Sequence, residues 1–126
     1  MTNKVLQGLN AYLSGRAAEL KACSFLQNKG YKLVAKNTRT TRGIGANEID
    51  LIMKKDKTLV FIEVKKRTNI TDSAYAITPA MQKRIYRAAE IFLAKHPEFQ
   101  NYFCRFDALL ICDDKSPVHL IDAWRG

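Results

Sequence analysis

Along this chain apolar positions recur with a period near 3.6 in some stretches and near 2 in others, and the changes of period outline a series of elements. Ala18, Ala22, Phe25 and Leu26 fall on one stripe of a helix that follows Ser14-Gly15-Arg16-Ala17 and that Gly30 is placed to end. Val5, Leu9, Tyr12 and Leu13 suit the same face, so its start is the least defined boundary. Residues 31–35 read as a short strand, and residues 36–47, polar, basic and glycine-containing, as a loop. Two central strands follow at 48–53 and 58–66, joined by Lys54-Lys55-Asp56-Lys57 as a hairpin turn.

Residues 68–77 read as a crossover loop. Thr78 then caps a second helix, with Pro79 in its first turn and Met81, Ile85, Ala88, Ala89, Phe92 and Leu93 on its apolar stripe. His96-Pro97 ends it. Residues 103–112 form a largely apolar strand, 113–117 a turn, and 118–121 a last strand before Trp124. The order helix, three strands, helix, two strands implies an α/β sandwich around a mixed sheet.

The two central strands carry charges where burial is expected. Val60, Ile62 and Val64 form one β-branched face of the second; Leu59 and Phe61 begin the other, which continues as Glu63 and Lys65. On the first, Glu48 and Asp50 share a face, about 6 to 7 Å apart along the strand. Isolated buried charges are costly, so they call for a metal, an ion-pair partner or an open cleft. Asp50 and Glu63 offer the hard oxygens that Mg²⁺ prefers, with room for water and a substrate phosphate. Lys65 beside them suits holding or deprotonating the attacking water and offsetting charge on the phosphate. Glu48 and Glu19 would bind through water or hold a second ion. Glu19 lies at the edge of its helix stripe, where it is either part of the site or a solvated acid. The competing reading is a cross-strand ion-pair set, with Lys66 and Arg67 facing solvent. Surface pairs of that kind contribute only about 0 to 1 kcal/mol, which gives stability little reason to interrupt an apolar strand.

Charge sharpens this picture. The net charge is +9, and residues 1–67 hold 14 basic and 5 acidic residues against 7 of each in 68–126, so the excess surrounds the acids. A basic surface around a few carboxylates suits a polyanion that must approach a metal, although charge alone fits a non-binding surface as well. Lys36, Arg39 and Arg42 in the loop, with Lys66, Arg67 and Lys83, are candidates to touch a phosphate backbone without reading sequence. Gln82 and Lys83, early in the second helix, either point back to the sheet end or are solvated.

With 47% apolar and 26% charged residues, the 126 positions suit one domain over 1–126 with a real core. Cys23, Cys104 and Cys112 are odd in number and lack zinc spacing, residues 1–14 hold no long apolar core, and no run approaches the roughly 20 apolar residues of a membrane span. A cytoplasmic protein with reduced thiols and no membrane partner is expected. Asp107 is expected to pair structurally with a basic neighbour, and His96 and His119 to be ordinary surface or helix-end residues.

These residues resemble the PD-(D/E)XK, restriction endonuclease-like superfamily. More closely, the chain is similar to the YraN family of small bacterial proteins, regarded as predicted endonucleases related to archaeal Holliday junction resolvases. The likeness runs from about Gly15 to Trp124 and is carried by Gly15, Glu19, Gly30-Tyr31, Asn37, Glu48-Ile49-Asp50-Leu51-Ile52, Phe61-Ile62-Glu63-Val64-Lys65 with Arg67, Gln82, Arg105-Phe106-Asp107 and Ala123-Trp124. It implies a restriction endonuclease-like three-layer sandwich in the order α-β-β-β-α-β-β. It implies Asp50, Glu63 and Lys65 as the catalytic core, Glu19 as an accessory acid and Gln82 as the polar residue of the second helix. A Mg²⁺-dependent nuclease acting on branched or structured DNA follows, with Mn²⁺ as a substitute and a homodimer suited to paired cuts. The alternatives are a DNA-binding or assembly module without useful turnover and a protein-interaction domain. The chain departs from the family at Asn47, where Gly is usual, in a longer preceding loop, and at Met81, where Lys is common.

Overall fold

The computed structural model describes residues 3–38, 49–67, 77–112 and 115–125, with residues 3–5, 10–14 and 67 described by their backbone alone. Helix α1 (Asn3–Asn28) turns Ala18, Ala22 and Leu26 inward at four-residue spacing, so one narrow stripe meets the sheet. Gly30 ends it as foreseen. Its φ of +93° suits a residue without Cβ, its amide donates to Gln27 O at 3.0 Å, and the Tyr31 amide reaches back to Leu26 O at 3.1 Å.

The strands are β1 (Lys32–Thr38), β2 (Ile49–Lys55), β3 (Thr58–Arg67), β4 (Phe103–Cys112) and β5 (Val118–Leu120); α2 (Pro79–Lys95) precedes β4. They form one five-stranded sheet in the order β1-β2-β3-β4-β5, antiparallel throughout except for the parallel pair β3–β4. The α-β-β-β-α-β-β order and the mixed sheet are those read from the sequence.

Several boundaries differ, most by a single residue. β1 continues to Thr38 because pairing with β2 extends to Thr38↔Ile49, which places Lys36 on a strand rather than in a loop. The hairpin turn shrinks to Asp56 and Lys57, since Lys55 and Thr58 are paired and Asp56 adopts φ +54° to close the tight turn. β5 ends one residue early, at Leu120.

The sheet is covered on both faces. Toward α1 lie Leu51, Met53, Val60, Ile62, Leu109 and Ile111; toward α2 lie Ile52, Leu59, Phe61 and Ala108, against Ile85, Ala88, Ala89 and Phe92. The alternation of β3 between these two cores puts Glu63 and Lys65 on the α2 side, in line with Leu59 and Phe61. Thr78 caps α2 through Oγ1, which accepts the Met81 amide at 3.2 Å, with Pro79 in the first turn. At its other end His96 is a helix-end residue: its Nδ1 lies 2.8 Å from Phe92 O and its ring stacks on Phe92. The short 3-10 turn Pro97–Phe99 that follows buries Phe99.

Asp107 plays the structural part expected of it. Completely buried, it accepts Arg105 Nε at 2.9 Å, Arg105 Nη2 at 2.8 Å and the Asp122 amide at 2.9 Å, while Arg105 Nη2 also donates to Tyr31 Oη at 2.7 Å. His119 corrects the expectation of a surface residue. Its side chain is 2% exposed and its Nε2 sits 2.6 Å from Asp107 Oδ2, because β5 lays it over a buried carboxylate that needs partners. Burial pushes Asp107 up, but hydrogen bonds from His119, Arg105 and the Asp122 amide outweigh it and hold the carboxyl below its ordinary value.

Candidate active site

The antiparallel ladder between β2 and β3 runs from the hairpin, Lys55↔Thr58, to Leu51↔Ile62 and stops there. The next rung is made by a side chain: the Val64 amide donates to Asp50 Oδ2 at 2.8 Å. The two strands therefore part where Asp50 and Glu63 stand, and the Asp50 carboxyl spans the gap. The charged end of β3 follows an otherwise buried strand, as its alternation implies.

Within it the Asp50 and Glu63 carboxyls share a hydrogen bond. Lys65 Nζ lies 3.2 Å from Glu63 Oε1, with both side chains more than four fifths buried. Burial, then the charge of Glu63, pushes Asp50 up to about 7, against the pull of the Val64 amide and Lys65. Burial also raises Glu63; Lys65, the hydrogen bond with Asp50, and Arg84 oppose it. The pair as a unit therefore holds a proton more readily than two isolated carboxyls would.

Glu19 belongs to the same electrostatic unit. Burial raises its pKa first and the charge of Asp50 second, while a hydrogen bond from Asn37 and the charges of Arg16 and Lys36 lower it. The structure thus brings Asp50, Glu63 and Lys65 into contact and places Glu19 within their field. Gln82 is half-buried with its Nε2 donating to Ile77 O at 3.3 Å, so its amide helps secure the start of α2. Lys36, Lys66 and Lys83 are exposed on β1, β3 and α2. Glu48, Arg39 and Arg42 lie outside the described residues, as does the side chain of Arg67.

Two residues were not foreseen as parts of the site. Arg84, exposed on α2, acts on Glu63 by its charge. Asn37 holds Glu19 from β1 with φ +53°, a left-handed conformation that Asn tolerates better than most residues. Arg84 precedes Ile85 on the flank of the buried stripe, a weak signal; no periodicity marks Asn37.

Among the described residues no group of three or more His, Cys, Asp or Glu side chains is arranged to hold a metal ion. The donor set is the Asp50–Glu63 pair. That chemistry fits Mg²⁺, which commonly takes one or two carboxylates and fills its remaining positions with water and substrate phosphate. Two neighbouring carboxyls whose ionisation is disfavoured by burial also suit a cation between them.

A family model described as "Uncharacterised protein family UPF0102" matches residues 18–111, a segment that includes Glu19, Asp50, Glu63, Lys65 and Gln82. The chain belongs to the UPF0102 family. It is similar to a UPF0102 protein of Rhodopseudomonas palustris, 42% identical over 120 residues that cover 95% of this chain and 89% of the relative. A UPF0102 protein of Bradyrhizobium diazoefficiens is 41% identical over 114 residues, 90% of this chain and 83% of its own. One from Nitrobacter winogradskyi is 40% identical over 114 residues, covering 90% and 93%. UPF0102 is the family to which the YraN resemblance pointed. No helix among the described residues is long and apolar enough to cross a membrane, and Cys23, Cys104 and Cys112 are free.

Proposed function

We propose that this UPF0102 protein is a Mg²⁺-dependent endonuclease that hydrolyses phosphodiester bonds in DNA, with branched or structured DNA as its preferred substrate. The observation that carries the reading is the buried Asp50–Glu63 pair with Lys65 on Glu63, set where β2 and β3 part. Burial disfavours ionising both carboxyls, and phosphoryl-transfer chemistry gives such a pair a use. The resemblance to the PD-(D/E)XK superfamily and to Holliday junction resolvases supports the substrate class, and paired cuts across a junction suit a two-fold dimer. Free thiols suit the cytoplasm.

Asp50 and Glu63 are the residues that would hold the ion, which when bound supplies Lewis acidity and lowers the pKa of a coordinated water. The Val64 amide fixes the plane of the Asp50 carboxyl, so this donor is oriented before substrate arrives. Lys65 places a positive charge at the acid pair, where it orients the attacking water and offsets charge growing on the pentacovalent phosphate. Glu19, held by Asn37 and within the field of Asp50, would receive a water or a second ion.

A DNA-binding or assembly module that keeps the fold without useful turnover is the second reading. Purified protein incubated with four-way junctions, flaps, single strands and linear duplex, in Mg²⁺, Mn²⁺ or EDTA, separates the two. Metal-dependent cleavage that disappears in folded Asp50→Asn, Glu63→Gln and Lys65→Ala supports the nuclease. Salt-sensitive DNA binding without cleavage under any of these conditions assigns the module.

A further inference from the structure

The turn between β2 and β3 ends the sheet at the pole opposite the acid pair, and lysines crowd it. Lys54, Lys55 and Lys57 flank Asp56, and Lys29 and Lys32 approach from the end of α1 and the start of β1. Lys32 and Lys54 stand directly opposite each other across the β1–β2 pair. Like charges in that position are destabilising. Lys29, Lys32, Lys55 and Lys57 are exposed, and among the described residues none of the five ammonium groups forms an ion pair.

Local structure accounts for part of the cluster only. Lys55 Nζ donates to Lys29 O at 2.9 Å and covers the C-terminal carbonyl end of α1, where a cation is favourable. Lys57 Nζ lies 4.9 Å from the centre of the Tyr102 ring, which holds its stem against the protein and leaves its charge at the surface. An edge strand gains protection against self-pairing from a lysine, which accounts for Lys32. Nothing of this kind accounts for Lys54 placed opposite Lys32.

We propose that this hairpin pole is a second phosphate-backbone contact, which grips the same duplex that presents its scissile phosphate to Asp50 and Glu63. The inference rests on the nuclease reading for what occupies the acid pair, but not for the binding itself. From Lys55 back to Asp50 is five residues of strand, about 17 Å, and the same distance separates Thr58 from Glu63. Over about 17 Å a duplex makes half a helical turn and carries about ten phosphate charges, enough to engage both poles. An anionic membrane would touch the hairpin alone and leave the acid pair about 17 Å from its surface without a role, so duplex is the occupant the layout favours.

The test measures affinity for a labelled 20-base-pair duplex in EDTA between about 50 and 200 mM salt. Wild type is compared with Lys54→Glu/Lys57→Glu, with the single Lys57→Ala, and with Lys54→Arg/Lys57→Arg. The glutamate pair is expected to bind about tenfold or more weakly at low salt, with a log–log salt slope shallower by roughly two contacts; Lys57→Ala loses about one contact, and the arginine pair keeps wild-type affinity. The melting temperature of the glutamate pair should not fall, since Lys54→Glu turns a cross-strand repulsion with Lys32 into an attraction. Loss of affinity without loss of stability is the signature of a surface kept for a ligand. Unchanged affinity and slope would overturn the proposal, as would wild type with no salt-dependent affinity, or lost binding to phosphatidylglycerol vesicles with duplex binding intact. If the lysine variants weaken binding while no protein cleaves DNA, the pole stands and the nuclease reading fails. If wild type cleaves and the variants bind and cleave as it does, the pole fails alone.

Discussion

Asp50 accepts the backbone amide of Val64 at 2.8 Å, so a side chain completes the ladder that the β2 backbone leaves open beyond Leu51 and Ile62. The same carboxyl shares a hydrogen bond with Glu63. One residue thereby bridges the two strands and supplies half of the acid pair. Its charge state must be felt both in stability and in chemistry.

Stability should respond first. The Asp50 pKa is raised to about 7 from an ordinary 3.8, so the folded chain binds a proton that the unfolded chain releases. Stability that is fully present below the unfolded value is therefore lost as pH rises through about 7. Asp50→Asn keeps an oxygen for the Val64 amide and removes the charge. In EDTA at pH 8 it should gain on the order of 2 kcal/mol, or roughly 5–10 °C in melting temperature, and at pH 4 the gain should vanish. Thermal melts of both proteins across that range measure it. An equal difference at every pH would show that the carboxyl is not held protonated by its surroundings.

Metal should reverse this penalty. A cation bound by Asp50 and Glu63 stabilises the native state by mass action, about 1 kcal/mol when Mg²⁺ is at several times its dissociation constant. Mg²⁺ should raise the melting temperature of wild type at pH 8 by a few degrees and leave Asp50→Asn and Glu63→Gln unmoved. The same shift in all three proteins would place the ion elsewhere.

Lys65 and Arg84 both act on Glu63, at different range. Lys65 is in contact at 3.2 Å and largely buried, whereas Arg84 acts from the exposed surface of α2. If cleavage is observed, Lys65→Ala should lower the single-turnover rate by about 10²–10³, the scale of losing one oriented charge in a shielded site. Arg84→Ala should lower it by about tenfold or less, since solvent screens the more exposed charge. Single-turnover rates at saturating metal give both numbers, and an Arg84→Ala effect equal to that of Lys65→Ala would reverse the ranking.

Asn37 offers a cleaner separation of backbone from side chain. Its φ of +53° suits glycine at little steric cost, so Asn37→Gly removes the bond to Glu19 while tolerating the backbone. The variant should melt within about 1 kcal/mol of wild type, yet lose the part of activity that needs Glu19 aimed at Asp50. Glu19→Gln should then have no further effect in the Asn37→Gly background. Independent losses in the double variant would detach Asn37 from Glu19.

Much of this arrangement is legible in the chain because β3 obeys its period without exception: Val60 and Ile62 reach one core, Leu59 and Phe61 the other, and Glu63 and Lys65 follow the latter. Thr78-Pro79 and Gly30 mark helix ends through local chemistry and need no tertiary partner. What stayed hidden depends on pairing over distance. β1 is drawn out to Thr38 by β2, against the polar composition of residues 36–38. Arg84 matters only because α2 returns over the charged end of β3. His119 sits on a strand three residues long, too short for any period, and its burial follows from a carboxylate on the neighbouring strand.

That carboxylate supports the last prediction. Asp107 joins β4, β5 and the Tyr31 end of α1 through Arg105, His119 and the Asp122 amide. Its pKa is depressed, so the stability it contributes is present above the ordinary carboxyl range and is lost as pH falls through the lower folded value. Asp107→Ala leaves Arg105, His119 and an amide without their acceptor and should cost about 3–5 kcal/mol at pH 7, enough to unfold much of the chain at physiological temperature. Asp107→Asn keeps one acceptor oxygen and should cost less. Urea unfolding at pH 7 ranks the two, and the wild-type advantage over Asp107→Asn should narrow only below about pH 4. A cost under 1 kcal/mol for Asp107→Ala would mean that the cluster is replaceable by packing, and that a buried carboxylate here needs a reason other than stability.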